Sequence, residues 1–401
     1  MRVLLSTIGS RGDVQPLAAL AVELRDLGQD VRMCVPPDFR EWIEGLGVRV
    51  TCIGPEVRPS GKISTSVIPT AEERRRMIEG TVAAQFETIA HAARDCDVIV
   101  GATALQIAAP SVAEQLGIPY VFAAYCPTVL PSTHHAPPVL RILGDTPAPA
   151  LSDYSAFWIK DAQHWNDTWG SLLNSHREAL GLSAVSDVRG HVHTDGPWLA
   201  ADQTLGPWPE ATGVFQSGAW ILRDDRPLSA ELEAFLDAGE PPVYFGFGSN
   251  RVPDGLSHAM IKAARSLGRR VIILRGWAEL SLIDDDVDCL AIGEVNQQAL
   301  FKRVAAVVHH GGAGTTTASA QAGAPQVVIP QHYDQHYWAQ RVQHLGIGAA
   351  HAHGNGTIES LTSALEHALK GDQQVRARSV AVAVRTDGAR IAAKQLVTTY
   401  G

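Results

Sequence analysis

The segment that decides the fold is VVHHGGAGTT, residues 307–316, in the last quarter of the chain. Its apolar first half is typical of a buried parallel strand, and its small residues are typical of a tight turn that leads into a helix. Such a turn exposes unpaired N–H groups at a helix N-terminus, where glycines let an anion such as a diphosphate approach the backbone. His309 and Thr315 can add side-chain donors. We therefore expect an anion site here; the alternative is a turn whose glycines serve packing alone.

Short apolar strands alternate with amphipathic helices on the amino-terminal side of this segment as well. The predicted strands of the first half are 2–6, 31–35, 48–53, 97–100 and 120–124, and those of the second half are 243–247, 271–274, 289–292, 305–309 and 326–329. Such alternation indicates a parallel sheet with helices on both faces. The aperiodic, proline-rich stretch 204–227 separates the two series. The sequence therefore predicts an α/β protein with two doubly wound domains.

Three helices matter for the placement of the domains. The first is predicted over 16–27, with Pro16 in its first turn and Gly28 at its exit. A long helix over 154–180 closes the first domain, and its tryptophans are expected mainly to pack in the core. The last helix is predicted over 375–399.

Two acidic positions lie where predicted strands end. Asp334 and Gln335 follow strand 326–329, and open α/β sheets bind ligands at the carboxyl ends of their strands. A carboxylate beside a carboxamide can hydrogen-bond the hydroxyls of a sugar; the alternative for Asp334 is a helix cap. Asp13 stands between the first strand and the first helix and faces the same crevice. Asp13 can accept the proton of a hydroxyl group, or it can serve as a helix-capping acid.

Composition narrows the classes of function. The chain has 401 residues, a formal net charge of -9 and an apolar fraction of 45%, so we expect neither nucleic acid nor an anionic membrane as a partner. The N-terminal apolar run is too short for a signal peptide or a membrane span. The five cysteines form no CxxC pair, which argues against a disulfide framework and favours a reducing cytoplasm: Cys34, Cys52, Cys96, Cys126 and Cys289.

Two rival sites are weaker. The carboxylates of 284–288 offer ligands for Mg²⁺ or Mn²⁺, but the run precedes a strand, which predicts a solvated loop at the wrong end of the sheet. Gly312, Gly314 and Asp334 imitate the spacing of a dinucleotide-binding fingerprint. That pattern requires a third glycine where Thr317 stands, so an NAD-dependent oxidoreductase is the weaker interpretation.

Taken together, GSRGDVQP (residues 9–16) and VVHHGGAGTTTASAQAGAPQVVIPQHYDQHYWAQRVQHLGIG (residues 307–348) resemble the family 1 glycosyltransferases of GT-B type from actinomycetes. Within that family the resemblance is to the vancomycin- and chloroeremomycin-type glycopeptide enzymes. It implies two Rossmann-like domains that face a central cleft. It also implies an acceptor-binding domain over 1–205 with a last helix, about 380–401, that crosses back to it, and a donor-binding domain over 206–379.

The resemblance also assigns roles to single residues. Asp13 matches the general base of the family, and Ser10 and Gly12 flank the diphosphate. In the second domain, the matches to the nucleotide sugar are Ser249 for a phosphate, Arg275, Trp277 and Val295 for the nucleobase region, His309, Gly312, Ala313, Gly314 and Thr315 for the diphosphate, and Asp334 with Gln335 for sugar hydroxyls. The stacking tryptophan that eukaryotic relatives carry before their PQ motif is absent from this sequence.

The implied reaction is an inverting transfer that uses one base, no metal, and no cofactor besides the nucleotide sugar as co-substrate. The donor is UDP- or TDP-linked, and Gln331 beside Asp334 and Gln335 favours UDP-glucose, which is rich in hydroxyls. The expected acceptor is a hydroxyl of a glycopeptide antibiotic aglycone, held by a mobile loop over 127–147 in which His134 and His135 contact it.

Three alternatives stay open at this point. The acceptor can be a macrolide, a polyketide or a small phenol that receives a deoxyaminosugar from a donor such as TDP-epivancosamine. A non-catalytic nucleotide-sugar binder would keep the glycine-rich segment but would have no use for Asp13. An oxidoreductase would bind NADH in place of UDP.

Overall fold

The computed structural model describes residues 1–59, 70–103, 105–138, 153–211, 213–250, 252, 255–284, 286–351 and 356–401. The predicted acceptor loop, 127–147, is therefore covered only as far as residue 138, and its remainder lies outside the described residues. Asp285 of the acidic run also lies outside them.

The first half of the chain forms a parallel sheet with the strand order β3-β2-β1-β4-β5-β6-β7. These strands are β1 (Arg2–Ser6), β2 (Asp30–Val35), β3 (Arg49–Cys52), β4 (Val98–Ala102), β5 (Tyr120–Ala124), β6 (Trp198–Leu199) and β7 (Phe215–Gln216). The central strands read as near-continuous apolar runs because both of their faces are buried.

The second half forms another parallel sheet with the order β10-β9-β8-β11-β12-β13. Its strands are β8 (Val243–Gly246), β9 (Val271–Leu274), β10 (Cys289–Ile292), β11 (Ala306–His309), β12 (Gln326–Val328) and β13 (Gly348–Ala350). The prediction of two doubly wound α/β domains is confirmed.

Helices cover both faces of each sheet. In the first half they are α1 (Arg11–Asp26), α2 (Arg40–Gly45), α3 (Ala71–Ala92), α4 (Ala109–Leu116), α5 (Ser155–Trp165), α6 (Ser171–Ala179) and α7 (Val188–His193). The others are α8 (Ala230–Asp237), α9 (Leu256–Ser266), α10 (Gln297–Leu300), α11 (Ala313–Gln321), α12 (Gln335–Leu345), α13 (Ile358–Ala368), α14 (Gly371–Ala383) and α15 (Gly388–Tyr400). Among the described residues, none of the helices combines the length and the apolar character needed to cross a bilayer.

The strand order reverses direction at the same place in each sheet. Strand β1 lies between β2 and β4, and strand β8 lies between β9 and β11. Helices that leave neighbouring strands in opposite directions open a crevice at the carboxyl ends of those strands, and ligands bind there. Asp13 follows β1 and the glycine-rich segment follows β11, so both lie at such a reversal point.

The first helix begins earlier than the sequence predicted. Helix α1 starts at Arg11, with Ser10 as its N-cap, so Pro16 lies inside the helix and not in its first turn. Proline has no N–H to bond the carbonyl of Gly12, and the helix tolerates this loss near its start. The predicted exit at Gly28 is correct, since Gly28 has a φ of 78°.

The carboxyl-terminal helix predicted over 375–399 is two helices, α14 and α15, because the chain leaves the helical conformation between them. The backbone N–H of Arg385 donates to Asp202 Oδ2 in the first domain at 2.9 Å. Helix α15 packs in the core of the first domain, so the crossing helix begins at Gly388 and not near residue 380. The first sheet also reaches Gln216, beyond the boundary expected at residue 205.

Helix α15 completes the core of the first domain. Its residues Ala389, Ala392, Ala393 and Leu396 pack in one cluster with the buried face of α1 and with strands β1 and β2. Small side chains on α15 let the two helices approach closely, and Leu396 supplies the largest fully buried group among these four.

We predict that Leu396→Ala lowers the free energy of unfolding by ~2–4 kcal/mol, because truncation leaves a cavity between α15 and α1. Urea denaturation followed by circular dichroism measures the change. The matched control is Val382→Ala on α14, whose side chain is 90% exposed and should be nearly neutral. Equal effects of the two substitutions would contradict the docking of α15.

Candidate active site

A cleft of about 1940 Å³ separates the carboxyl edges of the two sheets. It brings together most of the residues that the sequence singled out: Ser10, Gly12, Asp13, Ser249, Arg275, Trp277, Val295, Gly312, Ala313, Gly314, Thr315, Asp334 and Gln335. His309, His134 and His135 are not in its lining.

Asp13 is held at the start of α1 by its own loop. The backbone N–H of Ser10 donates to Asp13 Oδ2 at 2.6 Å, and the hydroxyl of Tyr125 donates to the Asp13 carbonyl at 3.0 Å. A Cβ at Gly9 would lie 2.1 Å from Asp13 Oδ2, and Gly9 has a φ of 146°, so glycine is required there. The carboxylate therefore caps its helix through one oxygen and lines the cleft.

Burial raises the pKa of Asp13 to about 6, partly offset by the hydrogen bonds from Ser10. Burial also raises the pKa of Asp334 to about 7; the indole N–H of Trp338, 3.0 Å from Asp334 Oδ2, lowers it, and the negative charge of Asp13 raises it. The two carboxyl groups therefore interact electrostatically across the cleft. A carboxylate whose pKa lies near neutrality is suited to general base catalysis.

Helix α11 presents an uncapped N-terminus to the cleft. Its N-cap is Gly312, and within the described part of the chain no side chain accepts a hydrogen bond from its first turn. A Cβ at Gly314 would meet nothing within 4 Å, so open space lies beside this first turn. Free N–H groups and the positive end of the helix dipole make this turn an anion site.

His309 does not serve this site, contrary to the sequence-based assignment. Its ring is fully buried: Nε2 lies 2.9 Å from Gln326 Oε1, and Nδ1 accepts the N–H of Gly311 at 3.0 Å. Both ring nitrogens are therefore used in holding the turn between β11 and α11. No ring donor is left for a diphosphate.

His310 is the histidine that lines the cleft, and the sequence analysis did not single it out. Its Nδ1 is buried without a hydrogen-bond partner among the described residues, and burial lowers the pKa of its ring to about 3. A Cβ at Gly312 would lie 2.5 Å from its Nε2, so the ring stands against the N-terminus of α11. A neutral imidazole there can donate one hydrogen bond to an anion.

Gln335 is less available than the sequence suggested. Its Oε1 accepts the N–H groups of Gln331 at 2.8 Å and His332 at 3.2 Å, and its Nε2 donates to Asn250 Oδ1 at 3.0 Å. The amide of Gln335 thus organises the loop between β12 and α12 and keeps one N–H. Gln331 also uses one of its amide N–H groups within the protein, since its Nε2 donates to the Ile329 carbonyl at 3.1 Å.

The same loop carries a strained residue. Tyr333 has a φ of 57°, in the left-handed region that a bulky side chain rarely adopts, and it lines the cleft beside Asp334. Such a conformation costs on the order of 1–3 kcal/mol and is found mostly at functional sites.

The predicted nucleobase region lies at the contact between the two domains. The ring of Trp277 stacks on Phe39 of the first domain, with centroids 6.3 Å apart and planes at 29°. Nearby, Arg11 Nη2 lies 3.1 Å from Glu294 Oε1, and the Arg11 guanidinium lies 3.6 Å from the centre of a ring of Trp42. One face of Trp277 is therefore already covered by the first domain.

The two histidines predicted to contact an acceptor lie elsewhere. His134 is exposed outside the cleft lining, and the ring of His135 packs edge-on against Trp158 and Trp208 with centroids 5.9 and 6.0 Å apart. Burial lowers the pKa of His135 to about 4. His135 is therefore a neutral ring of an aromatic cluster.

The acidic run is organised by an arginine of helix α9. Arg265 bonds Asp284 at 2.6 Å and Asp288 at 2.7 Å. These bonds hold the pKa of Asp284 at about 2. Among the described residues, no group of three or more His, Cys, Asp or Glu side chains could hold a metal ion.

Two facing doubly wound domains with a cleft between the carboxyl edges of their sheets are the architecture of the GT-B glycosyltransferases. Residues 3–134 match the glycosyltransferase family 28 N-terminal domain, and residues 261–393 match the erythromycin biosynthesis protein CIII-like C-terminal domain. A solved structure of the glycotransferase of kitacinnamycin has the same fold, with a TM-score of 0.72, 17% identity, and coverage of 100% of this chain and 99% of that one.

Two relatives from Amycolatopsis orientalis are similar along their whole length. One is glycosyltransferase GtfE, 51% identical over 404 residues, which cover all of this chain and 98% of the relative. The other is a vancomycin aglycone glucosyltransferase, 50% identical over 400 residues, which cover 99% and 97%. The chain belongs to the family 1 GT-B glycosyltransferases, in the group of the vancomycin-type enzymes. As in that class, it is an inverting, metal-independent transferase.

Two substitutions test whether His310 binds the diphosphate and His309 holds the turn before α11. We predict that His310→Ala weakens UDP binding about tenfold or more, because a hydrogen bond to a charged group is lost. His309→Ala should lower the free energy of unfolding instead, by ~1–3 kcal/mol for each polar partner left unpaired. Calorimetric titration with UDP and urea denaturation measure the two effects. A stable His309→Ala protein that has lost UDP affinity would restore the original assignment.

Proposed function

We propose that this glycosyltransferase moves glucose from UDP-glucose to a hydroxyl of a glycopeptide antibiotic aglycone, with Asp13 as the base. The observation that carries the proposal is the placement of Asp13 opposite the uncapped N-terminus of α11 within one cleft. A proton acceptor and a leaving-group site on opposite sides of a cleft are what an in-line displacement requires.

The first domain supplies the base. The acceptor hydroxyl approaches Asp13, whose Oδ2 is occupied by the Ser10 N–H, and its proton passes to the carboxylate. The acceptor oxygen then forms a bond to the anomeric carbon while the bond from that carbon to the diphosphate breaks. Because attack and departure occur on opposite faces, an α-linked donor gives a β-linked product.

The second domain supplies the site for the departing charge. The leaving diphosphate takes the electron pair of the broken bond, and the free amides of the first turn of α11 with the ring of His310 stabilise it. Thr315, half-buried in the cleft lining, adds a hydroxyl donor. The scheme needs no cofactor besides the nucleotide sugar.

The choice of glucose rests on two supports. The relative that is 50% identical is named as a glucosyltransferase. In the cleft, Asp334 uses one carboxylate oxygen for Trp338 and keeps the other for a sugar hydroxyl, and Gln335 keeps one N–H beside it. A deoxygenated sugar would leave these buried groups without a partner.

We predict that Asp13→Asn lowers kcat by ~10²-fold or more and leaves UDP affinity nearly unchanged, because the amide cannot accept the acceptor proton. Wild-type kcat/KM should fall as the pH drops below about 6. The sign follows from the raised pKa of Asp13: the base is protonated below that value and unprotonated above it. Steady-state kinetics from pH 5 to 9 measure both effects.

The control for the base is Glu56→Gln, which removes an exposed carboxylate and should leave the rate and its pH profile unchanged. An Asp13→Asn enzyme that turns over within a fewfold of wild type would show that another group takes the proton.

Donor choice can be tested by competition on one aglycone. With UDP-glucose and TDP-epivancosamine at equal concentration, glucose should be transferred in preference by roughly five- to 150-fold, the range that ~1–3 kcal/mol of unpaired polar groups supports. Mass spectrometry of the products gives the ratio. Preferential transfer of the amino sugar would instead support an enzyme for a TDP-linked deoxyaminosugar.

A further inference from the structure

Tyr333 adopts a backbone conformation that its own side chain does not favour. Its φ of 57° lies in the left-handed region, which glycine tolerates and an aromatic residue rarely adopts. The chain is held on both sides of this residue. Gln335 Oε1 accepts the N–H groups of Gln331 and His332, and the N–H of Gln335 donates to the His332 carbonyl at 3.3 Å. The surrounding loop therefore imposes the conformation, and residues kept under such strain cluster at functional sites.

The side chain of Tyr333 lies where the two domains meet. It is half-buried in the lining of the cleft, and its ring packs on a cluster of buried residues that both domains contribute. The phenolic oxygen is not enclosed by protein, and within the described part of the chain it has no hydrogen-bond partner. A ligand in the cleft can therefore bond this hydroxyl directly.

The surroundings of Tyr333 keep its hydroxyl protonated. Burial raises the pKa of Tyr333 well above its usual value, and the negative charges of Asp334 and Asp13 raise it further. The phenol therefore remains a hydrogen-bond donor at any pH at which the enzyme is assayed. The two carboxylates, by contrast, can only accept hydrogen bonds while they are ionised.

This arrangement places a donor beside two acceptors. Asp13 is the proposed base, and Asp334 keeps one carboxylate oxygen for a hydroxyl of the sugar. A sugar hydroxyl that donates to Asp334 can accept a hydrogen bond on its own oxygen, and so can the hydroxyl on the next carbon. Tyr333 directly precedes Asp334 and comes from the same domain, so its phenol is suited to supply that bond.

We propose that Tyr333 is a specificity-determining residue whose phenol donates a hydrogen bond to a hydroxyl of the transferred sugar. The inference rests on the proposed function, because glucose carries hydroxyls on adjacent carbons that a donor and an acceptor side by side can bind together. A sugar without the contacted hydroxyl leaves the phenol unpaired and is therefore bound less tightly.

The first test removes the hydroxyl and keeps the ring. Wild type and Tyr333→Phe are titrated calorimetrically with UDP and with UDP-glucose, and kcat/KM for UDP-glucose is measured with vancomycin aglycone as the acceptor. We expect Tyr333→Phe to weaken UDP-glucose binding roughly fivefold or more and to lower kcat/KM by at least that factor. The affinity for UDP should stay unchanged, because only the sugar loses a hydrogen bond.

The matched control is Tyr337→Phe. Tyr337 lies four residues further along the chain and is half-buried as well, but it does not line the cleft. The substitution removes the same hydroxyl from the same domain, so its affinities and rates should equal those of the wild type.

Donors that lack one hydroxyl identify the partner of the phenol. Analogues of UDP-glucose without the hydroxyl at C2, C3, C4 or C6 are titrated into wild type and Tyr333→Phe. For at least one analogue the two proteins should have equal affinity, since the partner of the phenol is already absent. A loss of the same size for UDP-glucose and for every analogue would show that the phenol binds no sugar hydroxyl, and the inference would be wrong.

A second pair of substitutions tests the conformation that places the phenol. Tyr333→Gly and Tyr333→Ala both remove the ring, but only glycine adopts a φ of 57° without strain. The glycine variant should therefore unfold at the higher urea concentration, although alanine is the more stabilising residue at an unstrained position. The opposite order would remove the structural basis of the inference and overturn it.

Failure of the inference and failure of the proposed function give different results. A Tyr333→Phe enzyme that binds and uses UDP-glucose like the wild type, or that loses affinity for UDP to the same extent, rejects the inference alone. A wild type that prefers TDP-epivancosamine rejects the proposed function. The inference then requires Tyr333→Phe to weaken that donor relative to TDP by a similar factor, and an unchanged ratio contradicts it.

Discussion

The hydrogen bond from the Ser10 N–H to Asp13 Oδ2 is the constraint on which the rest of the site depends. Through this bond one carboxylate caps a helix and also lines the cleft, although the sequence presents helix capping and proton acceptance by Asp13 as alternatives. One oxygen caps α1, which fixes the carboxylate at the reversal point of the first sheet, and the group still reaches the cleft. Gly9 must lack a Cβ for this approach, and Tyr125 fixes the backbone of Asp13 from behind. The capping residue thus has the position that its proposed role as the base requires.

The two helices that face each other across the cleft use their N-termini in opposite ways. At the start of helix α1, Asp13 accepts the N–H of the N-cap residue Ser10, so that side of the cleft holds a carboxyl group. Helix α11 begins at Ala313, after the N-cap Gly312, with no side-chain cap among the described residues, so its first amides are suited to bind an anion from outside the chain. The two sides of the cleft therefore differ, with a carboxyl group on the first domain and uncapped helix amides on the second, although the two domains share one architecture.

Strongly periodic segments were predictable, and segments set by distant partners were not. Strands β9 and β10 were predicted with their observed bounds because each is a short apolar run between turn signals. Strand β13, Gly348–Ala350, carries no such signal. The break before α15 depends on Asp202, and the choice between His309 and His310 depends on Gln326, which claims the first ring. Both partners are brought into place only by the tertiary fold. The local sequence pattern therefore predicted the glycine-rich segment but not which histidine lines the cleft.

Contacts between the domains connect the predicted nucleobase region to the helix that carries Asp13. Arg11, two residues before Asp13 on α1, pairs with Glu294, which precedes Val295 of the predicted nucleobase region. Trp277 of that region stacks on Phe39 of the first domain. A nucleotide that enters there must share Trp277 with Phe39 or displace it, and any shift of Glu294 is felt by Arg11. Since Arg11 and Asp13 lie in the same helical turn, these contacts link the predicted nucleobase region to the helix that carries Asp13.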